Sequence, residues 1–239
     1  LRETRRLPEN LWCGTGAAYA ARVIASEVRR RGGTVTSFDH GGATGISQLL
    51  QLTTISELMI STHFCVGTKS WADIVSSSEA VTLAAPFGGC KIIHSDGEPT
   101  FRQACIDGIA RTRRRVVYVG HPYRALRQFA IAGTSDVIYW DLQSRVAAQL
   151  NEMPVDLICK PHPEGHFVGG RNPIEKIATT SYRRFEEHLP DTDVFVFDAP
   201  TSTTFAEALC TNRPVVLIER GQYPFNPVID AEVRSRCRI

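Results

Sequence analysis

Apolar residues switch between two spacings along the chain. Residues 17–31, AAYAARVIASEVRRR, place Ala20, Val23, Ile24 and Val28 at helical intervals, and Gly32-Gly33 ends the run. Arg29, Arg30 and Arg31 suit the carboxyl end of that helix. TVTSF (34–38) then predicts a buried strand. A helix over 46–52, a strand over 57–66, a helix over 69–76 and short strands over 80–85 and 90–95 follow. Near Arg111 the texture changes, and RTRRR (111–115) leads into the strand VVYVG (116–120). Beyond it the pattern predicts a helix over 136–151, a strand over 155–160 and helical pieces within 172–189. A strand over 194–199, a helix over 203–210 and a strand over 214–219 complete the series. Strands and helices in alternation, with near-continuous Val/Ile runs, predict parallel sheets covered on both faces. The division falls at 1–112 and 113–239.

Composition narrows the class. The 239 residues are 43% hydrophobic and 22% charged, as in an ordinary globular protein. A net charge of +2 gives no general field for nucleic acid. No apolar run approaches the ~20 residues of a membrane helix, and LRETRRLPEN has no apolar segment behind its basic residues. The chain opens at Leu1 and is expected to be a piece of a longer protein, its first domain lacking the opening strand–helix units. The seven cysteines form no CxxC pair, and several sit in apolar runs. They read as small buried hydrophobes in a reducing compartment.

Three segments of unusual chemistry fall at the carboxyl ends of predicted strands, where open parallel sheets bind ligands. In KPHPEG (160–165), Pro161 and Pro163 stiffen the backbone around His162. His162 and Lys160 could hold a phosphate, with Glu164 beside them; the alternative is a prolyl turn with an exposed His. A metal site at His162, Glu164 and His166 is disfavoured, because Pro163 and Gly165 oppose the helix such a motif needs. In APTSTTFAEAL (199–209), Ser202, Thr203 and Thr204 open a helix and offer a phosphate seat or a plain N-cap. Glu207 could accept from a ribose or be a surface acid. In FDHGGATG (38–45), His40 could act as a general base beside Gly41 and Gly42, or the segment is a glycine turn. Asp96 in HSDGE (94–98) reads first as a turn residue and second as a base. His121-Pro122 is a weaker His-Pro pair, and RTRRR reads as a solvated linker face.

The His-Pro strand end (160–164), the Ser/Thr run with its E-A-L helix (201–209) and the Pro-Val-Val strand together resemble the donor-binding domain of GT-B transferases. More narrowly, they resemble enzymes of bacterial surface and capsular polysaccharide synthesis. FDHGGATG is similar to a His-Gly loop in the first domain of several members, whereas their acidic-acidic-Gly motif appears here only as Ser95-Asp96-Gly97. The resemblance implies an α/β, GT-B-like chain of two Rossmann-like domains, a cytoplasmic protein able to sit at the inner face of the cell membrane. It implies transfer of a sugar or glycerophosphate-like group from a nucleotide-linked donor to a glycan or lipid-linked acceptor, with no metal or cofactor. Lys160, His162, Pro163, Glu164, Ser202, Thr203, Thr204 and Glu207 would face the donor, with Gly41 and Gly42 in an acceptor loop and His40 or Asp96 as base. A nucleotide-sugar 2-epimerase and a non-catalytic nucleotide- or glycan-binding domain remain open.

Overall fold

The computed structural model describes residues 7–14, 16, 18–42, 44–48, 53–95, 97, 106–108, 110–123, 134–163 and 172–239. The chain divides into two compact units, residues 1–101 with 224–229, and residues 102–223 with 230–239. Each carries a four-stranded, all-parallel sheet with helices in the connections, an architecture compatible with Rossmann-like domains.

In the first unit β1 (Asn10–Cys13), β2 (Thr34–Phe38), β3 (His63–Val66) and β4 (Lys91–His94) lie side by side in chain order. Connections of one hand then carry the intervening helices to a single face. On that face α1 (Tyr19–Arg30) sets Ala25 and Val28 against Val35 and Ile60. There α2 (Lys69–Ser76) sets Ala72 and Val75 against Phe64 and Val66. The Thr68 side chain accepts the Trp71 N–H and so starts α2 where expected. Among the described residues the opposite face is not covered as expected. Trp12 is 78% exposed, its ring edge-on to Phe38, while Thr36, His63 and Cys65 are half-buried.

Four local expectations are corrected in this unit. In α1, Val23 and Ile24 point outward, and the buried stripe is Ala25 and Val28. Arg29 accounts for the rotation, since its guanidinium donates to the carbonyls of Met59 at 2.8 Å and Gly89 at 2.6 Å. AVTLAA is not a strand: Glu79–Ala84 is a helix, α3, with Ala80 and Ala84 fully buried. Its alanines are helix formers, which outweighs the apolar run. The stretch expected as one strand over 57–66 begins in a π-helical turn, Thr54–Leu58, and only His63–Val66 is extended. Of the helix expected over 46–52, residues 46–48 form a turn and a bridge, Ser47 pairing antiparallel with Phe225; 49–52 lie outside the described residues.

The second unit follows its sequence pattern closely. β5 (Arg114–Val119), α4 (Asp136–Glu152), β6 (Val155–Lys160), β7 (Val194–Phe197), α5 (Thr203–Leu209), β8 (Val215–Leu217) and α6 (Asp230–Arg236) follow in order. Short 3-10 turns at Pro173–Lys176 and Phe185–His188 are the helical pieces of the β6–β7 connection. The spatial order is β6-β5-β7-β8. After β6 the chain crosses back over β5, so the direction of winding reverses between β5 and β7. One face packs Tyr118, Leu157, Cys159 and Val196 with Ala147 of α4. Phe195 and Phe197 meet Phe185 and, through Phe197, Phe205 of α5 on the other. Four of the cysteines (Cys13, Cys90, Cys159 and Cys237) are buried free thiols, and burial pushes those of Cys90 and Cys159 up to about 12, which makes them inert.

Candidate functional site

A reversal of winding opens a crevice above the carboxyl ends of the two strands that flank it. The first sheet, in simple chain order, has no such point among its described strands. The second sheet has one, between β5 and β7, and its chemistry is concentrated there.

The loops at this edge are tied to one residue that the pattern does not mark, Asp198. It follows β7 and is 1% exposed. One carboxyl oxygen accepts from the Tyr118 hydroxyl at 2.6 Å, the Tyr139 hydroxyl at 2.7 Å and the Gln143 amide at 3.4 Å. The other accepts the backbone N–H of His121 at 3.1 Å. Gln143 also donates to the carbonyl of His121 at 3.4 Å and accepts the Tyr123 hydroxyl at 2.6 Å. Both peptide groups flanking His121 are thereby held. Gly120 is required beside it, because a Cβ there would lie 2.3 Å from the Gln143 amide nitrogen. Burial and the neighbouring Asp198 keep the Tyr118 and Tyr139 hydroxyls protonated, as donors, far into alkaline pH. The Tyr139–Gln143–Ala147 stripe of α4 thus faces inward, while Val137 and Ile138 are 72% and 62% exposed. Helix α4 buries its polar residues because Asp198 needs partners.

Arg220, beyond β8, completes the group. Its Nε donates to the main-chain carbonyl of Asp198 at 3.0 Å, and one Nη to the Thr134 hydroxyl at 3.4 Å. The guanidinium lies 5.0 Å from the centre of the Tyr139 ring, a cation–π distance. The His121 ring meets the same ring edge-on and also touches Tyr223.

The residues singled out in the sequence are distributed around this centre. Lys160 ends β6 and is 7% exposed. Side chains alternate along a strand, so with Leu157 and Cys159 facing α4, Lys160 lies on the Phe195–Phe197 face, the face of α5. Burial lowers its pKa, against the attraction of Glu186 and Glu187. Among the described residues no ion pair is formed at its ammonium. Pro161 is buried, His162 half-buried and Pro163 exposed. Glu164 and His166 lie outside the described residues.

Ser202 is the N-cap of α5: its hydroxyl accepts the Phe205 N–H at 3.2 Å and meets the Thr204 hydroxyl at 3.0 Å. Thr203 is exposed and Thr204 half-buried. Glu207 is not a surface acid but 7% exposed, and burial with repulsion from Glu186 raises its carboxyl to about 7. Its folded pKa exceeds the ordinary carboxyl value of 4.5, so its contribution to stability is present below pH 4.5 and is lost as pH rises to about 7. Glu207→Gln is therefore expected to raise the urea midpoint at pH 8, by at most about 3 kcal/mol in stability, and to change little at pH 4.5.

In the first unit, His40 is exposed at the end of β2, as expected. The loop around it is organised by Asp39, whose N–H donates to Cys65 O at 2.9 Å and whose carboxyl accepts from the Thr44 hydroxyl. Burial raises the Asp39 pKa, while Thr44, His40 and the Gly42 and Thr44 N–H groups act the other way. Gly41 (φ 86) and Gly42 (φ 71) take left-handed conformations that glycine adopts freely. Asp96 lies outside the described residues; Gly97 beside it has φ 119.

In RTRRR, Thr112, Arg113 and Arg114 are exposed as expected, whereas Arg111 and Arg115 are half-buried in ion pairs. Arg111 pairs with Asp191 at 3.3 Å and Asp193 at 3.5 Å, and Arg115 with Asp156 at 2.7 Å. These arginines pin strand starts at the amino edge of the sheet, beside an open polar cleft of about 520 Å³ lined by Arg111, Arg113, Asn151 and Asp156. That cleft lies at the edge opposite the crevice. No helix among the described residues is long and apolar enough to cross a membrane. No protein-family model matches the chain, and no curated protein does.

Proposed function

We propose that this chain is a GT-B-like transferase whose second unit binds a nucleotide-linked donor by its phosphates at the carboxyl edge of the sheet. The observation that carries the reading is Lys160. A lysine with its stem buried, its ammonium in no ion pair among the described residues, stands on the edge that parallel sheets use for ligands, on the face of α5. Burial weakens the hydration of such an ammonium and makes a phosphate oxygen a favourable partner. His162, two residues on, and Thr203 and Thr204 at the start of α5 lie at the same edge. Ser202 is occupied as a cap, so its part is to fix the first turn of α5.

In the reaction, an acceptor hydroxyl gives its proton to a base as its oxygen bonds to the transferred group. The bond from that group to the nucleotide phosphate breaks, and the electron pair leaves with the phosphate oxygen. Lys160 stabilises the charge that develops there. His40, exposed on its glycine loop in the first unit, is the proposed base.

Thermal shift and calorimetry with CMP-, CDP-, UDP- and GDP-linked donors test the reading. At least one donor is expected to bind, and Lys160→Gln to weaken it about ten- to a hundredfold. His40→Ala is expected to lower turnover with donor affinity nearly unchanged. Absence of binding across the panel, or affinity indifferent to Lys160, overturns the proposal.

A further inference from the structure

The geometry points to a second anion subsite at the β5/β7 crevice, in which His121 and Arg220, both positioned by Asp198, take a phosphate group of the bound ligand. The inference rests on the reading of the second unit as a nucleotide-donor site and adds residues to it. Three loops contribute, those after β5, β7 and β8, and all converge on Asp198. His121 is tied by its N–H to the carboxyl group and by its carbonyl to Gln143. Arg220 is tied by Nε to the main-chain carbonyl of the same residue. Both side chains contact the Tyr139 ring, so one rigid, buried hydroxyl-bearing ring sets the position of two cationic or donor groups.

The arrangement is more elaborate than loop anchoring requires. A surface loop needs no carboxyl group buried to 1% with donors from four residues. Such a cluster carries a large desolvation cost and is self-consistent only when every donor is matched. What it achieves is a fixed orientation for groups at its rim. At that rim Arg220 keeps one Nη that makes no hydrogen bond among the described residues, on a half-buried guanidinium whose other donors are committed. A planar guanidinium held in this way suits the oxygens of a phosphate better than a mobile lysine does. Tyr139 supports Arg220 from below through its ring and His121 through its hydroxyl. The location is the winding reversal of the sheet, where the strand loops diverge and leave room for a ligand. Lys160 is the last residue of β6, on the other side of β5 from β7, in a strand spaced about 4.8 Å from β5. Lys160 and this rim therefore reach the carboxyl edge from opposite faces of the sheet.

Calorimetry of the whole chain with pyrophosphate, and with whichever donor of the panel binds, tests the assignment. Arg220→Gln and His121→Gln remove side-chain groups at the rim and leave Asp198 in place. Each is expected to weaken pyrophosphate and donor binding about tenfold or more, with the thermal midpoint of the unliganded protein nearly unchanged. Tyr139→Phe keeps the ring under Arg220 but removes the hydroxyl that accepts the His121 N–H. It is expected to weaken binding less than Arg220→Gln, and Arg220→Lys to restore binding only in part. If Lys160→Gln weakens the donor while Arg220→Gln and His121→Gln do not, the second subsite is refuted and the donor reading stands. If no donor or pyrophosphate binds the native chain, both fall.

Discussion

Asp198→Ala is expected to destabilise the second unit by about 3–6 kcal/mol, among the largest effects of any single substitution in this chain. The truncation leaves the buried Tyr118 and Tyr139 hydroxyls without their acceptor and takes one of the two acceptors of the His121 N–H, which keeps the Tyr139 hydroxyl; each buried donor left without an acceptor costs about 1–3 kcal/mol. Asp198→Asn keeps one acceptor oxygen and most of the volume, so it is expected to cost roughly half as much. The three tryptophans are Trp12, Trp71 and Trp140, and only Trp140 belongs to the second unit. In a Trp12→Phe, Trp71→Phe background, urea unfolding followed by fluorescence therefore reports on that unit. A midpoint for Asp198→Ala within 0.5 kcal/mol of the parent, on the order of an ordinary surface change, would show that the hydroxyls find other partners. The central place given to Asp198 would then be lost.

Phe197→Ala is expected to cost about 3–5 kcal/mol in the same assay. Phe197 is 1% exposed, with its ring 5.3 Å from Phe205 at 81° and 6.2 Å from Phe185. Aromatic pairs of this edge-on kind add to the area they bury, and the cavity would open directly beneath α5. Donor affinity should fall along with stability, because the first turn of α5 is held at the edge by Phe205. Phe87→Ala, at a position 53% exposed in the first unit, is the control and should leave the second-unit transition in place. Equal effects from the two substitutions would mean that the phenylalanine cluster is not what seats α5.

How much of this was written in local pattern differs between the two units. TVTSF, KSWADIVS and VDLICK match their elements residue for residue, because β-branched runs and the Thr68 cap act through near neighbours. AVTLAA and 57–66 are short apolar runs, for which periodicity does not separate strand from helix. β1 has only Cys13 buried, and its polar and exposed positions hide its strand character. The position of KPHPE and TSTT at strand ends was likewise legible, since a proline or hydroxyl residue after a Val/Ile run marks a boundary by itself.

The alternation of strand and helix, the parallel sheets and the edge at which chemistry gathers were determined by the sequence alone, through backbone propensity and burial period. The tertiary structure alone decided the order β6-β5-β7-β8, and with it where the crevice lies, because strand order is set by pairing between segments far apart in the chain. It also decided the role of Asp198. An acid after a strand is unremarkable until the fold brings Tyr118, His121, Tyr139 and Gln143 to it across 55–80 positions. The same packing turned Val137 and Ile138 outward and Gln143 inward, against the apolar pattern, because a buried carboxyl group requires donors more strongly than two aliphatic side chains require burial.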